Sequence, residues 1–206
     1  MYVMKNILKS ILLLLSSIRL IPHLIIFMVF DKKGYIKSDL MRWLKNPEAA
    51  NSPVKTVLGF IRTMTYFPEF RSLFYYRAGW TSKLFKYLCP PMSTLFISAE
   101  EIGPGLFIQH GFSTIIVADR IGKNCWINQQ VTIGYSNSDD CPTIGDNVVI
   151  NAGAKVIGKV TIGDNSKVGA NAVVVKNVPP NVTVVGVPAY IIKRDGKRVN
   201  ERLVNN

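Results

Sequence analysis

In a chain of 206 residues with only two histidines, one stands inside an apolar, glycine-bounded run, "IGPGLFIQHGFSTIIV", from Ile102 to Val117. A neutral imidazole near pH 7 can take the proton of a hydroxyl as that hydroxyl attacks a carbonyl carbon. His110 is thus a residue whose type could move a proton, and the glycine after it, Gly111, leaves open space beside the ring. His23 lies in an apolar N-terminal segment and is given no catalytic role. The three cysteines, Cys89, Cys125 and Cys141, are odd in number and unrelated in spacing. They suggest neither a disulfide framework nor a CxxC metal site, and a reducing compartment is the simpler reading. No metal is expected.

The elements that must hold His110 follow from composition and period. Apolar residues form 48% of the chain, ample for a core, and the net charge of +12 is uneven. Residues 1–90 hold 14 Lys and Arg against 4 Asp and Glu, whereas residues 91–206 hold 11 against 9. The basic half is also the greasy half, which favours an anionic membrane surface as partner. Nucleic acid is not expected, because the remainder is near neutral and lacks a basic-aromatic stripe.

The apolar residues concentrate in "LKSILLLLSSIRLIPHLIIFMVF", Leu8–Phe30. Its length suits a transmembrane helix, but Arg19 divides it and Pro22 would kink it. The uncharged runs Ser10–Ile18 and Leu20–Phe30 are each too short to span. No small-residue cleavage site follows, so a signal peptide is disfavoured. Three readings stay open: a membrane-surface or re-entrant segment, a helix buried in the fold or between copies, and a true span.

From Tyr35 to Pro91 the pattern is helical: "IKSDLMRWLKN", "SPVKTVLGFIRTMTYF" and "FPEFRSLFYYRAGWTSKLFKYL" carry apolar residues three and four apart. Pro68 and Glu69 open the third segment, Pro90-Pro91 is expected to end it, and its aromatics (Phe67, Phe70, Phe74, Tyr75, Tyr76) are expected to pack. Beyond Pro91 an aliphatic residue returns every six positions: Ile102, Ile108, then Ile115, Ile121, Ile127, Ile133, then Ile144, Ile150, Val156, Ile162, Val168, Val174. Small or polar residues often follow. Neither a helix nor an alternating strand has this period; a parallel β-helix with three flat sides per turn does. Such coils stack on one continuous aliphatic column. The period breaks twice, by one residue after Ile108 and by five after Ile133, the latter leaving a loop within "GYSNSDDCPT". Both breaks are expected to flank His110, since loops on a rigid scaffold tend to carry function. Four segments result: 1–34, apolar and basic; 35–91, helical; 92–190, the β-helix; and 191–206, a basic tail.

"IGPGLFIQHG", "IGDNVVINAGAKVIGKVTIGDNSKVGANAVVVKNVPP" and "VVGVPAYIIKR" together resemble the hexapeptide-repeat acyltransferases, and within them the serine acetyltransferase branch. The resemblance covers about residues 97–194. It implies a left-handed β-helix, a homotrimer, and acetyl-CoA and acceptor bound in clefts between neighbouring prisms. It makes His110 the catalytic base and points to a backbone N–H at Gly134 or Tyr135 as donor to the thioester oxygen. It lays the CoA arm along Ala152, Gly153 and Ala154, then Ala170, Asn171 and Ala172. Lys193 or Arg194 would meet the CoA phosphates. Direct acetyl transfer leaves Cys141 without a role, and a loop thiol lacking a second histidine reads as incidental.

The departures from that branch carry information too. Asp140 and Cys141 stand where the branch has an Arg-His pair, Gln109 stands where it has a carboxylate before the base, and Leu95 falls at the acidic orienting position. Another group must then orient His110: Glu100, Glu101, Asp119 or a main-chain carbonyl. The expected function is acetyl-CoA-dependent O-acetylation of a sugar hydroxyl in a surface polysaccharide or its precursor, in the cytoplasm or peripheral at the inner membrane face. Serine O-acetylation for cysteine synthesis is the alternative, and a catalytically silent β-helix scaffold at the membrane is a third.

Overall fold

Prolines begin three of the helices, because the N–H that proline lacks is one the first helical turn leaves unpaired in any case. The computed structural model describes residues 2–44, 52–138 and 140–204, in two units, Met1–Met92 and Ser93–Asn206. Lys45 and Asn46 of the first expected helix, and Asp139 of the loop, lie outside the described residues.

The first unit holds α1 (Tyr2–Arg19), α2 (Ile21–Phe30), α3 (Tyr35–Leu44), α4 (Pro53–Tyr66), α5 (Pro68–Ala78) and the short α6 (Trp80–Lys83). Pro22, Pro53 and Pro68 sit in the first turns of α2, α4 and α5. The Asp31 carboxylate accepts the Ile36 and Lys37 N–H groups at 3.0 and 2.8 Å and so caps α3. The third expected helix is shorter than its apolar spacing suggests. Gly79 adopts φ 67° and stops α5 well before Pro90. Of the aromatics expected to pack there, Phe70 and Phe74 are fully buried, while Phe67 stays exposed.

Leu20, Ile26 and Phe27 share one core with Leu40, Phe60, Met64, Phe70 and Phe74, so residues 1–34 and 35–91 are not separate bodies. Phe27 stacks on Phe60 with centroids 4.7 Å apart. Two polar devices cross this core. Arg77 and Asp39, both nearly inaccessible, pair at 2.9 Å. His23 Nε2 lies 2.7 Å from the Tyr75 hydroxyl, which donates its single proton to the Cys89 carbonyl at 2.8 Å. The imidazole must therefore be the donor to Tyr75. Burial, with the Arg19 charge second, lowers the His23 pKa to about 4. Among the described residues no single helix is long and apolar enough to cross a membrane. The pair Ser10–Arg19 and Ile21–Phe30, bent by 62°, meets the length and composition only when taken together.

The second unit is a β-solenoid of five coils. Coil one comprises β1 (Leu95–Ile97), β2 (Glu101–Ile102) and β3 (Phe107–Ile108), and coil two β4 (Thr114–Ile116), β5 (Arg120–Ile121) and β6 (Trp126–Ile127). Coil three has β7 (Thr132–Gly134), β8 (Thr143–Ile144) and β9 (Val149–Ile150), and coil four β10 (Lys155–Ile157), β11 (Thr161–Ile162) and β12 (Lys167–Val168). β13 (Val173–Val174) and β14 (Val182–Val185) continue into coil five, followed by β15 (Tyr190–Arg194) and β16 (Lys197–Arg202). Each wall is a parallel sheet: β1-β4-β7-β10-β13, β2-β5-β8-β11, and β3-β6-β9-β12-β14 with β15 and β16 added antiparallel.

The expected aliphatic column is buried from Ile102 to Val174 with one exception. Ile115 points outward, 45% exposed, and Ile116 takes the inward place, in register with Ile97 and Ile133. The corner after Ile108 thus holds two residues more than its counterpart after Ile127, and the next side is one shorter. Opposite that corner, Asn124, Asn147, Asn165 and Asn181 turn the chain with φ of 56–58° or 59°, the left-handed region that asparagine tolerates. Asn147 donates to Asn165 and Asn165 to Asn181, each at 3.0 Å. Residues 191–203, most of the expected basic tail, are largely paired in strands. Asp195-Gly196, both with positive φ, form the two-residue turn that suits a twisted hairpin.

Candidate active site

His110 sits on the enlarged corner between β3 and β4. Its φ is 64°, followed by Gly111 at 50° and Ser113 at 52°. The Phe112 N–H donates back to the His110 carbonyl at 2.6 Å. Thr114, fully buried, holds the corner from beneath, its hydroxyl donating to the Phe112 carbonyl at 3.2 Å. Two extra residues therefore push the imidazole out of the prism, where it is exposed. Its nearest side-chain polar contact is Gln109: the two Nε2 atoms are 3.4 Å apart. When the Gln109 amide donates across this long contact, the ring keeps its lone pair at Nε2 and its proton at Nδ1.

Stacking decides which candidates share this corner. Gln109 N–H donates to Ile127 O, Asn128 to Ile150, Asn151 to Val168 and Gly169 to Val184. His110 therefore begins a row that continues through Gln129, Ala152 and Ala170. At about 4.8 Å per coil, Ala152 lies about 10 Å and Ala170 about 14 Å along the row. Ala154 and Ala172 point inward with no exposure. The N–H groups of Gly153, Ala154, Asn171 and Ala172 are spent inside the solenoid. What this edge offers outward is the small side chains of Ala152 and Ala170. Gly153 is needed here: its φ is 74°, and a Cβ would stand 2.0 Å from Asn171 Oδ1. An edge of backbone and small side chains leaves space for a long, thin ligand.

The remaining candidates lie elsewhere. Glu100 and Asp119 mark the corner at the other end of the first wall, where Glu100 N–H meets Ala118 O and Glu101 N–H meets Asp119 O. Thr114 to Ala118 alone spans roughly 13 Å of extended chain, so neither acid orients His110 within one prism. Glu101 pairs with Arg120 at 3.8 Å in solvent. Gly134 and Tyr135 open the loop at that same far corner. Nothing lies within 4 Å of where a Cβ on Gly134 would stand, and Tyr135 is exposed. The two breaks in the repeat thus occupy opposite ends of one wall rather than flanking His110. Lys193 pairs with Thr183, at the end of the third wall away from Ala170. Arg194 is held by Glu201 at 2.5 Å.

The loop is self-contained. Asp140 accepts from Ser136 N–H at 2.8 Å, from the Ser136 hydroxyl and from Asn137 N–H at 2.9 Å. These bonds, the Ser136 hydroxyl first, hold its carboxyl below the usual range. Partial desolvation, then the charges of Asp119, Asp140 and Glu100, push the Cys141 thiol up, which leaves it a poor nucleophile. Two open grooves, of about 590 and 680 Å³, lie against β15 and β16 and do not reach His110. Among the described residues no cluster of metal-ligating side chains occurs.

Residues 141–176 match the model of the bacterial transferase hexapeptide family (six repeats). Serine acetyltransferases of Staphylococcus xylosus and Staphylococcus aureus are 46% identical over 118 residues and 47% identical over 116. Each match covers 52% of this chain, and 55% and 54% of the relative. About half of the chain is thus similar to serine acetyltransferases, and residues 141–176 carry the repeats of the bacterial transferase hexapeptide family. The chain spans about half the length of these curated relatives. Among solved structures, a Neisseria gonorrhoeae serine acetyltransferase in complex with serine matches with TM-score 0.62 and 27% identity, over 82% of this chain and 72% of that one. A soybean serine acetyltransferase complexed with serine matches with TM-score 0.58 and 26% identity, over 77% and 68%. Two features escaped the sequence reading. The left-handed turn at His110 depends on which isoleucine faces inward, and the Gln109 contact follows from that turn. The second hairpin was signalled by Asp195-Gly196.

Proposed function

We propose that the chain transfers acetyl from acetyl-CoA to the hydroxyl of L-serine, with His110 as general base. The observation that carries the reading is the single row formed by His110, Gln129, Ala152 and Ala170: an exposed imidazole at one end of an edge that turns to small residues beyond Gln129. Acetyl-CoA supplies an activated acetyl group as a thioester. The acceptor oxygen attacks the thioester carbonyl carbon while His110 Nε2 takes its proton. The C–S bond then breaks, and the proton passes to the departing thiolate. Ala152 and Ala170 leave room for the CoA arm along the edge, and the backbone N–H of Gly134 or Tyr135 is the proposed donor to the thioester oxygen. That donor stands at the far end of the wall, so a complete site requires a second prism beside the first. A homotrimer supplies it. The names of the relatives support serine as acceptor.

One observation favours a second acceptor, a sugar hydroxyl. Asp140 is committed to its own loop and Cys141 is a weakly acidic thiol, so this loop offers no cation to a free amino-acid carboxylate. The test is CoA release by the purified full chain with L-serine and with a panel of hexose and amino-sugar glycans. Turnover with L-serine supports the first reading. Turnover with glycans alone selects the second, and none with either, together with no effect of His110 substitution on acetyl-CoA hydrolysis, leaves a silent scaffold.

A further inference from the structure

The helical unit is apolar on the wrong side for a water-soluble bundle. On α1 the outward residues are Ile7, Leu8, Ile11, Leu12, Leu14, Leu15 and Ile18, with Leu14 67% exposed, whereas Ser16 is fully buried. On α2, Ile21, Ile25, Met28, Val29 and Phe30 face out, and the polar His23 faces in. Ile26 and Phe27 of α2 do enter the core, but a helix packed on a protein core in water keeps its outer face polar, and these two helices do not. Twelve large apolar side chains on two consecutive helices exceed the scattered exposure normal for a soluble surface.

The charges around this face are of one sign. Among the described acids of the unit, Asp39 is buried against Arg77, Glu69 is buried, and Asp31 is tied to the start of α3. Lys32, Lys33 and Lys37 follow α2 in exposed positions, and Lys55 and Arg62 are exposed on α4, which packs against α1. A second copy of the same face would set cations against cations. An anionic bilayer offers hydrocarbon for the leucines and phosphate for the lysines.

We propose that the outward face of α1 and α2 docks into one leaflet of an anionic lipid bilayer, the 62° bend at Leu20 laying both helices along the interface. Arg19, which reaches the Leu88 carbonyl at 3.4 Å, would then anchor the bend to the protein side. This proposal does not depend on the acetyl acceptor.

The test is flotation of the full chain with phosphatidylcholine vesicles, with and without phosphatidylglycerol. Binding is expected with the anionic vesicles and not with the neutral ones. Replacing Leu14, Leu15 and Ile18 by Gln, all exposed and all tolerated by a helix, should lower partitioning about tenfold per residue. Lys32→Gln with Lys33→Gln should lower it roughly 25-fold, about fivefold per lysine. Unchanged far-ultraviolet circular dichroism keeps each variant interpretable. A chain that stays unbound to both vesicle types with its helices intact would overturn the proposal. So would equal binding to neutral vesicles insensitive to the lysines, or a soluble assembly that shields Leu14 and Leu15 between copies.

Discussion

His110→Asn isolates the chemistry of the corner from its architecture. Asparagine adopts the left-handed conformation at five other corners of this solenoid, Asn124, Asn147, Asn165, Asn171 and Asn181, so the φ of 64° at position 110 costs it little. The imidazole is exposed and has one long contact, to Gln109. Its removal buries no unpaired group and opens no cavity, so unfolding free energy should move by no more than about 0.5 kcal/mol. The amide cannot accept a proton. Loss of general-base assistance should slow acetyl transfer by about 10²–10⁴-fold, equivalent to roughly 3–5 kcal/mol of barrier. The edge formed by Ala152 and Ala170 is untouched, so acetyl-CoA affinity should change less than about twofold, within the half-kilocalorie band of neutral surface changes. The assay is thiol release followed with a chromogenic disulfide, with calorimetric titration of acetyl-CoA and a urea melt on the same preparation. Retention of more than a tenth of the turnover would refute the assignment of His110 as base. A melt lowered in parallel with activity would make the histidine structural.

Three further outcomes follow from the packing. Gly153→Ala should destabilise the solenoid by about 2 kcal/mol or more, from left-handed strain and the clash with Asn171 Oδ1; a urea midpoint unchanged from wild type would count against the corner geometry. Asp39→Ala should cost about 3–5 kcal/mol by leaving Arg77 buried and unpaired, measured as loss of helical signal in urea; a change under 1 kcal/mol, in the range of exposed pairs, would contradict that burial. His23 titrates at about 4 when folded against 6.5 for an ordinary imidazole, so between those values the unfolded chain binds more protons. Stability is then full above pH 6.5 and falls toward pH 4 by roughly 3 kcal/mol from this group; His23→Gln should flatten that slope, and an equal slope in both proteins would rule out His23 as its source.

The inward column was legible in the residues because a six-residue period has one structural solution, and eleven of the twelve expected positions are buried. Ile115 failed for a local reason. It has an isoleucine neighbour, Ile116, and only the register with Ile97 and Ile133 decides which of the two enters the prism. That same ambiguity hid the size of the His110 corner. The acids Glu100 and Asp119 are near His110 in sequence and far from it in space, since a coil carries near neighbours around a corner within a few residues. The end of α5 at Gly79 was open to reading, because glycine is the commonest stop for a helix, but the apolar spacing runs through it. The partner of Arg194, Glu201, needed the hairpin before it could be seen.

That hairpin also governs how the solenoid ends. A stack of parallel strands presents unpaired N–H and C=O groups to any further strand, and polymerisation by edge-to-edge growth is its characteristic failure. The third wall meets this hazard by reversing direction at β15 and again at β16, so that an incoming parallel coil finds no matching ladder. β16, the last described strand, carries Lys197, Arg198, Glu201 and Arg202 in six residues. Desolvating four charges to add one strand is costly. On this wall the hairpin opposes strand addition, and shortening it before Lys197 should raise self-association on concentration, read by light scattering.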